Sequence, residues 1–360
     1  SAADDVETYH ENRAVFRRIW LRPRILRNVR YVDPSTKILG IPSALPFYIT
    51  ATALGRMGHP DGELNLTRAA AKTGLIQMIP TLSSVSFDEI IDARNQEGGP
   101  AQFFQLYVST DRNVVANMLR RAEETNVKAI FVTVDAPQLG RREQDMRMHF
   151  VDEGSNVQGG HVEKRDEGAA RAITSFIDPS FDWDDVLWMK RQTRLPILLK
   201  GVQTWEDAVQ AYEMGLAGVV LSNHGGRQLD FARSGVEVLE EVMRELRKRG
   251  SFPNPAFQVM VDGGFRRGTD ILKALAMGAT AVGIGRPFLY AYSAYGVDGV
   301  IHAINLLRDE LEMNMRLIGA RSIEELVPSM VDLSALHNHM GAVFPKQDQS
   351  VLDFMEKSRL

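Results

Sequence analysis

The sequence predicts an α/β fold, a single (β/α)8 or TIM barrel with an N-terminal helical extension and a long loop after the fourth strand. Three observations point there. Between residues 46 and 318, strand-like runs alternate with amphipathic helix-like runs, and eight strands can be counted. The strand runs are apolar almost throughout, such as Ile130-Phe131-Val132 and Val259-Met260-Val261, as in a parallel sheet covered on both faces. The residues able to carry chemistry fall where those runs break into loops, and in a barrel that end is the catalytic face. An open doubly wound sheet uses similar units but needs a Gly-rich turn at its first crossover and an acidic ribose ligand beyond it. Here the first strand ends in Ala51-Thr52-Ala53-Leu54, so the barrel is preferred.

The chain has 360 residues, more than the roughly 250 that such a barrel needs. It divides into an N-terminal segment packing on the barrel (1–45), the barrel itself (46–318) and a C-terminal helix and tail (319–360). Hydrophobic residues make up 44% and charged residues 24%, the balance of a soluble globular chain with a large core. The formal net charge of −4 offers no global basic field for nucleic acid. No apolar run approaches the roughly 18 residues of a membrane span. There are no cysteines, which removes disulfides, thiolate metal sites and cysteine nucleophiles together, and no metal is expected. The first residues lack a secretory or transit pattern and read as an internal cut. The final Ser358-Arg359-Leu360 is close to the peroxisomal tripeptide.

Taken in order, residues 1–45 are basic and proline-punctuated, with Arg17, Arg18, Arg22, Arg24, Arg27 and Arg30 around Trp20 and Pro23. A solvated helix and connector under the barrel is expected there rather than a nucleic-acid patch. Strands are expected at 46–54, 75–80, 102–108, 129–135, 197–202, 218–222, 257–262 and 281–285. Helices are expected at 64–72, 87–94, 112–124, 183–193, 205–214, 236–248 and 269–277. Residues 136–180 break the rhythm with a long polar insertion, expected to be a mobile lid over the catalytic face. A closing helix is expected at 300–318 and a shorter one near 322–326.

The chemistry concentrates in Leu221-Ser222-Asn223-His224-Gly225-Gly226-Arg227-Gln228-Leu229-Asp230, directly after the sixth strand. His224 offers a proton acceptor near neutral pH, and Arg227 a planar fork for a carboxylate. Asp135, ending the fourth strand, could orient an imidazole. Lys200, ending the fifth, could form a Schiff base or hold a negative charge. After the last two strands, Asp262-Gly263-Gly264-Phe265-Arg266 and Gly283-Ile284-Gly285-Arg286 pair glycines, whose N–H groups can approach a phosphate closely, with arginines that can clamp it. By residue chemistry alone the ligand is a phosphorylated sugar, a nucleotide or a flavin.

The decapeptide at 221–230 resembles the active-site signature of the FMN-dependent α-hydroxy-acid oxidising family, without a break. The resemblance runs from Glu11 to about Ala335, and within the family it points to the flavodehydrogenase domain of fungal flavocytochromes that oxidise L-lactate. It implies FMN as cofactor, with Ala51, Thr52 and Ala53 beside the flavin and Gln105, Thr133 and Lys200 holding its ring. Ser222, Asp262, Gly263, Gly264, Arg266, Gly285 and Arg286 would surround its ribityl chain and phosphate. Tyr107 matches a tyrosine that contacts the substrate hydroxyl, and Arg142 and Arg227 match the substrate arginines. His224 and Asp135 match the catalytic pair. The implied reaction is oxidation of an L-2-hydroxy acid, L-lactate to pyruvate, with a haem domain or cytochrome c receiving the electrons.

Two departures stand out. Relatives carry a tyrosine pair just before the position of Ser1, and many have serine where this chain has Pro80. Ala53 and Leu82 are expected to set selectivity, and the leucine, where glycolate-specialised relatives have tryptophan, points toward lactate. The alternatives are a peroxisomal 2-hydroxy-acid oxidase using oxygen, or an L-mandelate dehydrogenase. Haem b is expected only if a separate N-terminal domain exists, in which case the setting is the mitochondrial intermembrane space. Homotetramers are expected by resemblance. An IMP-dehydrogenase-like barrel would need a catalytic cysteine, and a non-catalytic flavin binder would not bleach with substrate.

Overall fold

Parallel pairing runs unbroken around a ring of eight strands in this computed structural model, which describes residues 2–148 and 176–343. The strands β1 (Phe47–Ile49), β2 (Met78–Ile79), β3 (Phe103–Leu106), β4 (Ile130–Thr133), β5 (Ile197–Val202), β6 (Gly218–Leu221), β7 (Gln258–Asp262) and β8 (Ala281–Ile284) pair in chain order, with β8 beside β1. A parallel bridge between Ile49 and Gln77 joins β1 to the residues leading into β2 and completes the TIM barrel.

Side-chain alternation shows why the strands read as continuous apolar runs. Tyr48, Phe103, Phe131, Leu198, Val220 and Met260 fill the interior, whereas Phe47, Phe104, Ile130, Leu199, Val219 and Val261 face the surrounding helices. The interior aromatics meet closely, with the rings of Phe103 and Phe131 5.0 Å apart. Several ladders stop earlier than the apolar run suggests. The pairing ends at Ile49, Leu106 and Thr133, and the following residues, among them Thr50 to Ala53, Tyr107 and Asp135, turn onto the carboxyl face.

The N-terminal segment covers both ends of the barrel. The hairpin Thr36–Ile38 and Ile41–Ser43 closes the amino end, where Ile38 joins the interior cluster and the Leu39 N–H donates to Gln258 Oε1 at 3.0 Å. The helix Glu7–Ala14 lies at the opposite, carboxyl end rather than under the barrel. The reason is polar: the helix has little apolar surface to bury, and its amino end is held by Asp230, which accepts the N–H groups of Asp5, Glu7 and Thr8 at 3.1, 3.3 and 2.8 Å. Burial opposes the Asp230 charge, but the Thr8 and Glu7 amides outweigh it and hold the carboxyl below its ordinary value. Asp230→Ala should therefore lower unfolding free energy by about 1–2 kcal/mol at pH 7, measured by urea titration. A group with a depressed folded pKa stabilises above its unfolded pKa and loses that contribution as pH falls. The difference between wild type and variant should shrink below about pH 3.8.

Beyond β8 the chain forms helix at once, over Arg286–Ile318, with a break at Tyr295 and Gly296 where Gly296 has φ 58°. The expected closing helix at 300–318 is the part after that break. The last described elements are 3-10 turns at Ile323–Glu325 and Pro328–Met330, a strand Val331–Asp332 antiparallel to Trp20–Leu21, and the helix Ser334–Val343. The loop after β4 includes the helix Glu143–Met148. Most of the expected lid, 149–175, and the tripeptide Ser358-Arg359-Leu360 lie outside the described residues. Among the described residues no helix is long and apolar enough to cross a membrane.

Candidate active site

At the end of β6 the backbone turns so sharply that three consecutive residues adopt positive φ: His224 at 57°, Gly225 at 66° and Gly226 at 75°. The glycines accept this freely, whereas His224 is strained and must be held by its surroundings. Its N–H donates to Ser222 Oγ at 3.0 Å. Asn223 and Asn12, both buried, exchange side-chain amide hydrogen bonds at 2.9 and 2.8 Å, and Asn223 Oδ1 also accepts the Gly226 N–H. The N-terminal helix thus grips the loop that carries the histidine.

The turn lays the imidazole over the barrel mouth. His224 Nδ1 lies 2.9 Å from Asp135 Oδ1, and Nε2 lies 3.2 Å from the Tyr107 hydroxyl. An ionised carboxylate only accepts, so it assigns the proton to Nδ1 and leaves Nε2 as the free base. The Asp135 side chain is 0% exposed and that of His224 18%, so the carboxylate is sealed while the imidazole stays reachable. Burial, then the Asp135 charge, pushes the Tyr107 hydroxyl up to about 12, which keeps it neutral and able to donate.

Gly201 makes this arrangement fit. It lies in a register shift between β5 and β6 with φ 108°, and a Cβ there would lie 2.4 Å from Asp135 Cγ. Gly201→Ala should displace Asp135 and lower turnover by about 10²-fold while the fold persists, which a steady-state assay beside far-UV circular dichroism checks.

Two cationic groups sit at the same face. Lys200, 6% exposed, pairs with Asp262 Oδ2 at 3.0 Å and donates to Ser222 Oγ at 3.3 Å. Burial opposes its charge, but Asp262 and Asp135 outweigh it and raise its pKa. Arg142 and Arg227 form the second group. Arg142 reaches the Arg227 carbonyl and Gln228 Oε1, each at 3.4 Å, and Gln228 Nε2 donates to the carbonyls of Asp135 and Gln138. Burial, then repulsion from Arg142, brings Arg227 down to about 10, while the Asp145 carboxylate acts in the opposite direction on both arginines.

The glycine and arginine pairs meet beside them. Arg286 begins the long helix after Gly285, donates to the Gly225 carbonyl at 2.8 Å and lies over the Tyr9 ring. Arg266 donates to the Phe265 carbonyl, and burial lowers the pKa of both arginines. Gly263 has φ 94°, whereas Gly264 has a packing reason of its own, since a Cβ there would lie 1.9 Å from the Asn12 carbonyl oxygen.

The strand ends between are polar and tightly held. Gln105 Nε2 donates to Thr133 Oγ1 at 2.9 Å. Thr81, which sequence reasoning missed, donates its hydroxyl to the Gln105 carbonyl at 2.6 Å and accepts the Tyr107 N–H at 3.0 Å. Thr52 Oγ1, near Ala51 and Ala53, is buried without a protein partner, as expected of a group awaiting a ligand. That orphaned hydroxyl, the buried lysine and the arginine-lined helix start fit a flavin mononucleotide. Leu82, Tyr107, Ala136 and Ile177 form an apolar cluster with Ala53, Leu139 and Phe176. Phe176 and Ile177 were also missed, because they end a polar insertion and join the site through long-range contacts, the pairing of Ile177 with Ser109 and the Asp178 N–H donating to the Val108 carbonyl at 2.8 Å.

Comparison with known proteins gives a consistent result. The profile of a family described as FMN-dependent dehydrogenase matches residues 1–333. The chain is 53% identical over 339 residues to L-lactate dehydrogenase (cytochrome) of Wickerhamomyces anomalus, covering 94% of this chain and 58% of that protein. It thus spans less than two thirds of that relative's length. It is 44% identical to glycolate oxidase 3 of Arabidopsis thaliana, covering 91% of this chain and 88% of that one. Among solved structures, a mutant flavocytochrome b2 with pyruvate bound superposes with TM-score 0.86 at 47% identity, covering 98% of this chain and 85% of that one.

Proposed function

Because the chain belongs to the FMN-dependent dehydrogenase family, we propose that it oxidises L-2-hydroxy acids, with L-lactate converted to pyruvate as its principal reaction. The observation that carries this reading is an imidazole between a sealed carboxylate and the Tyr107 hydroxyl, with Arg142 and Arg227 close enough to act on that same tyrosine.

Each role follows from chemistry. Arg227, with Arg142, holds the substrate carboxylate and fixes the α-carbon, an orientation effect that supplies a large part of such rate enhancements. The Tyr107 hydroxyl meets the substrate hydroxyl. His224 removes a proton at Nε2, and Asp135 stabilises the imidazolium that results. Ala51, Thr52, Ala53, Gln105, Thr133 and Lys200 would hold the flavin ring, and Ser222, Asp262, Gly263, Gly264, Arg266, Gly285 and Arg286 its ribityl chain and phosphate. Bound there, FMN would supply the two-electron acceptor. Lys200 would place fixed positive charge beside the ring, stabilising negative charge in a water-poor setting.

Ala53 and Leu82 belong to the apolar cluster around Tyr107, surroundings that suit the methyl substituent of lactate. Kinship with the lactate dehydrogenase (cytochrome) proteins supports a haem domain or cytochrome c as the acceptor; a homotetramer in the mitochondrial intermembrane space completes this first reading. The likeness to glycolate oxidase supports a second reading, a peroxisomal oxidase that passes electrons to oxygen. Turnover of L-lactate, glycolate and L-mandelate, each with cytochrome c or with oxygen, separates them. The first reading expects pyruvate formation with cytochrome c to exceed that with oxygen by at least about tenfold; equal or faster oxygen use favours the second.

A further inference from the structure

We propose that Glu63, a carboxyl outside the substrate pocket, is a positioning residue that sets selectivity between small and bulky 2-hydroxy acids; this deepens the functional reading given above. Glu63 is 0% exposed and immediately precedes the helix Leu64–Thr73. A buried carboxylate is tolerable only when its oxygens are satisfied. Oε1 accepts the N–H groups of Gly55 and Ser84 at 2.8 and 3.0 Å, and Oε2 accepts the Ser84 hydroxyl and the Val85 N–H at 2.7 and 3.2 Å.

Those donors come from two loops. Gly55 follows β1, while Ser84 and Val85 follow β2, so a single oxygen bridges them. The approach is close enough that a Cβ on Gly55 would lie 2.9 Å from Glu63 Cδ. Ser84 Oγ also accepts the Arg56 N–H at 2.8 Å, and the Leu54 N–H donates to the Leu82 carbonyl at 3.3 Å. The first loop carries Ala53 and the second Leu82, and both side chains belong to the apolar cluster around Tyr107. The separation of these two walls is therefore held by a knot whose centre is Glu63. One methylene in an apolar pocket changes discrimination by about 10–200-fold, so a small loosening of the walls should register as altered selectivity before it registers as lost chemistry.

The test compares kcat/KM for L-lactate and L-mandelate in the FMN-loaded chain, with hydrogen exchange of residues 51–63 and 80–86 measured in parallel. Glu63→Ala removes every contact. Glu63→Gln keeps the shape, but its amide nitrogen faces either two N–H groups or the Val85 N–H and a hydroxyl that can turn to accept. The lactate-to-mandelate ratio should narrow about fivefold in Glu63→Gln and about tenfold or more in Glu63→Ala. Both segments should lose protection together. A Glu63→Gln ratio within about twofold of wild type overturns the proposal even if thermal stability falls, as does loss of protection in only one loop. If Glu63→Ala does not fold, Glu63→Gln and Ser84→Ala carry the comparison. A wild-type chain that oxidises neither acid would mark failure of the functional reading instead, and joint or separate exchange of the loops then decides the positioning claim.

Discussion

His224→Gln is expected to retain flavin and to reduce it with L-lactate about 10²–10⁴-fold more slowly than the parent, the range that a positioned general base supplies. Glutamine can occupy the space between Asp135 and Tyr107, at 2.9 and 3.2 Å from the histidine nitrogens, but its amide cannot take a proton near neutral pH. Arg142 and Arg227 remain in place, so titration with pyruvate should give an unchanged dissociation constant. Asp135→Asn is expected to act on the same step by another route. Its amide would offer a donor to Nδ1, favouring the tautomer that protonates Nε2, the wrong nitrogen for a base. Single-turnover flavin reduction checks both variants, and a His224→Gln rate within about tenfold of wild type would remove the histidine from the reaction.

Lys200→Met should show the largest loss of stability, about 3–5 kcal/mol, because it strands a buried partner. The side chains of Lys200 and Asp262 are each 7% exposed and 3.0 Å apart. Breaking such a pair leaves one charge without water or counter-ion, whereas removing both does not. The double variant Lys200→Met with Asp262→Asn should recover most of the loss, giving a coupling energy of at least about 1 kcal/mol. Urea unfolding of the flavin-free protein keeps cofactor linkage out of the comparison. Lys200 is a cation whose folded pKa is raised, so its contribution is fully present below its ordinary value of 10.5 and is lost only as pH climbs through the higher folded value. The penalty should therefore be flat from pH 6 to 9; a loss under about 1 kcal/mol would contradict the pairing argument.

The barrel was legible because its evidence is periodic and repeated. Alternation of strand and helix needs no long-range information, and β5 matches its apolar run of 197–202 in full. Strand ends were less legible where apolar residues such as Ala51 and Ala53 continue past the ladder into a loop. His224, Asp135, Lys200 and Arg227 could be found because each follows or ends a strand run, and the structure brings the first two to 2.9 Å. Asn12, Thr81, Ile177 and Glu63 could not be found this way. Each acts through a partner distant in the chain, as Asn12 does with Asn223, 211 residues away, and no local period encodes such a pairing. Gly201 left a trace, a glycine within a β run, whose meaning became clear only with Asp135 packed against it.

The most direct measurement is the visible spectrum of the FMN-loaded chain before and after anaerobic addition of L-lactate. The arrangement of His224, Arg227 and the flavin cradle predicts that the yellow oxidised band bleaches and that one pyruvate appears per flavin. A flavin-loaded chain that stays yellow with L-lactate, glycolate and L-mandelate alike would contradict it.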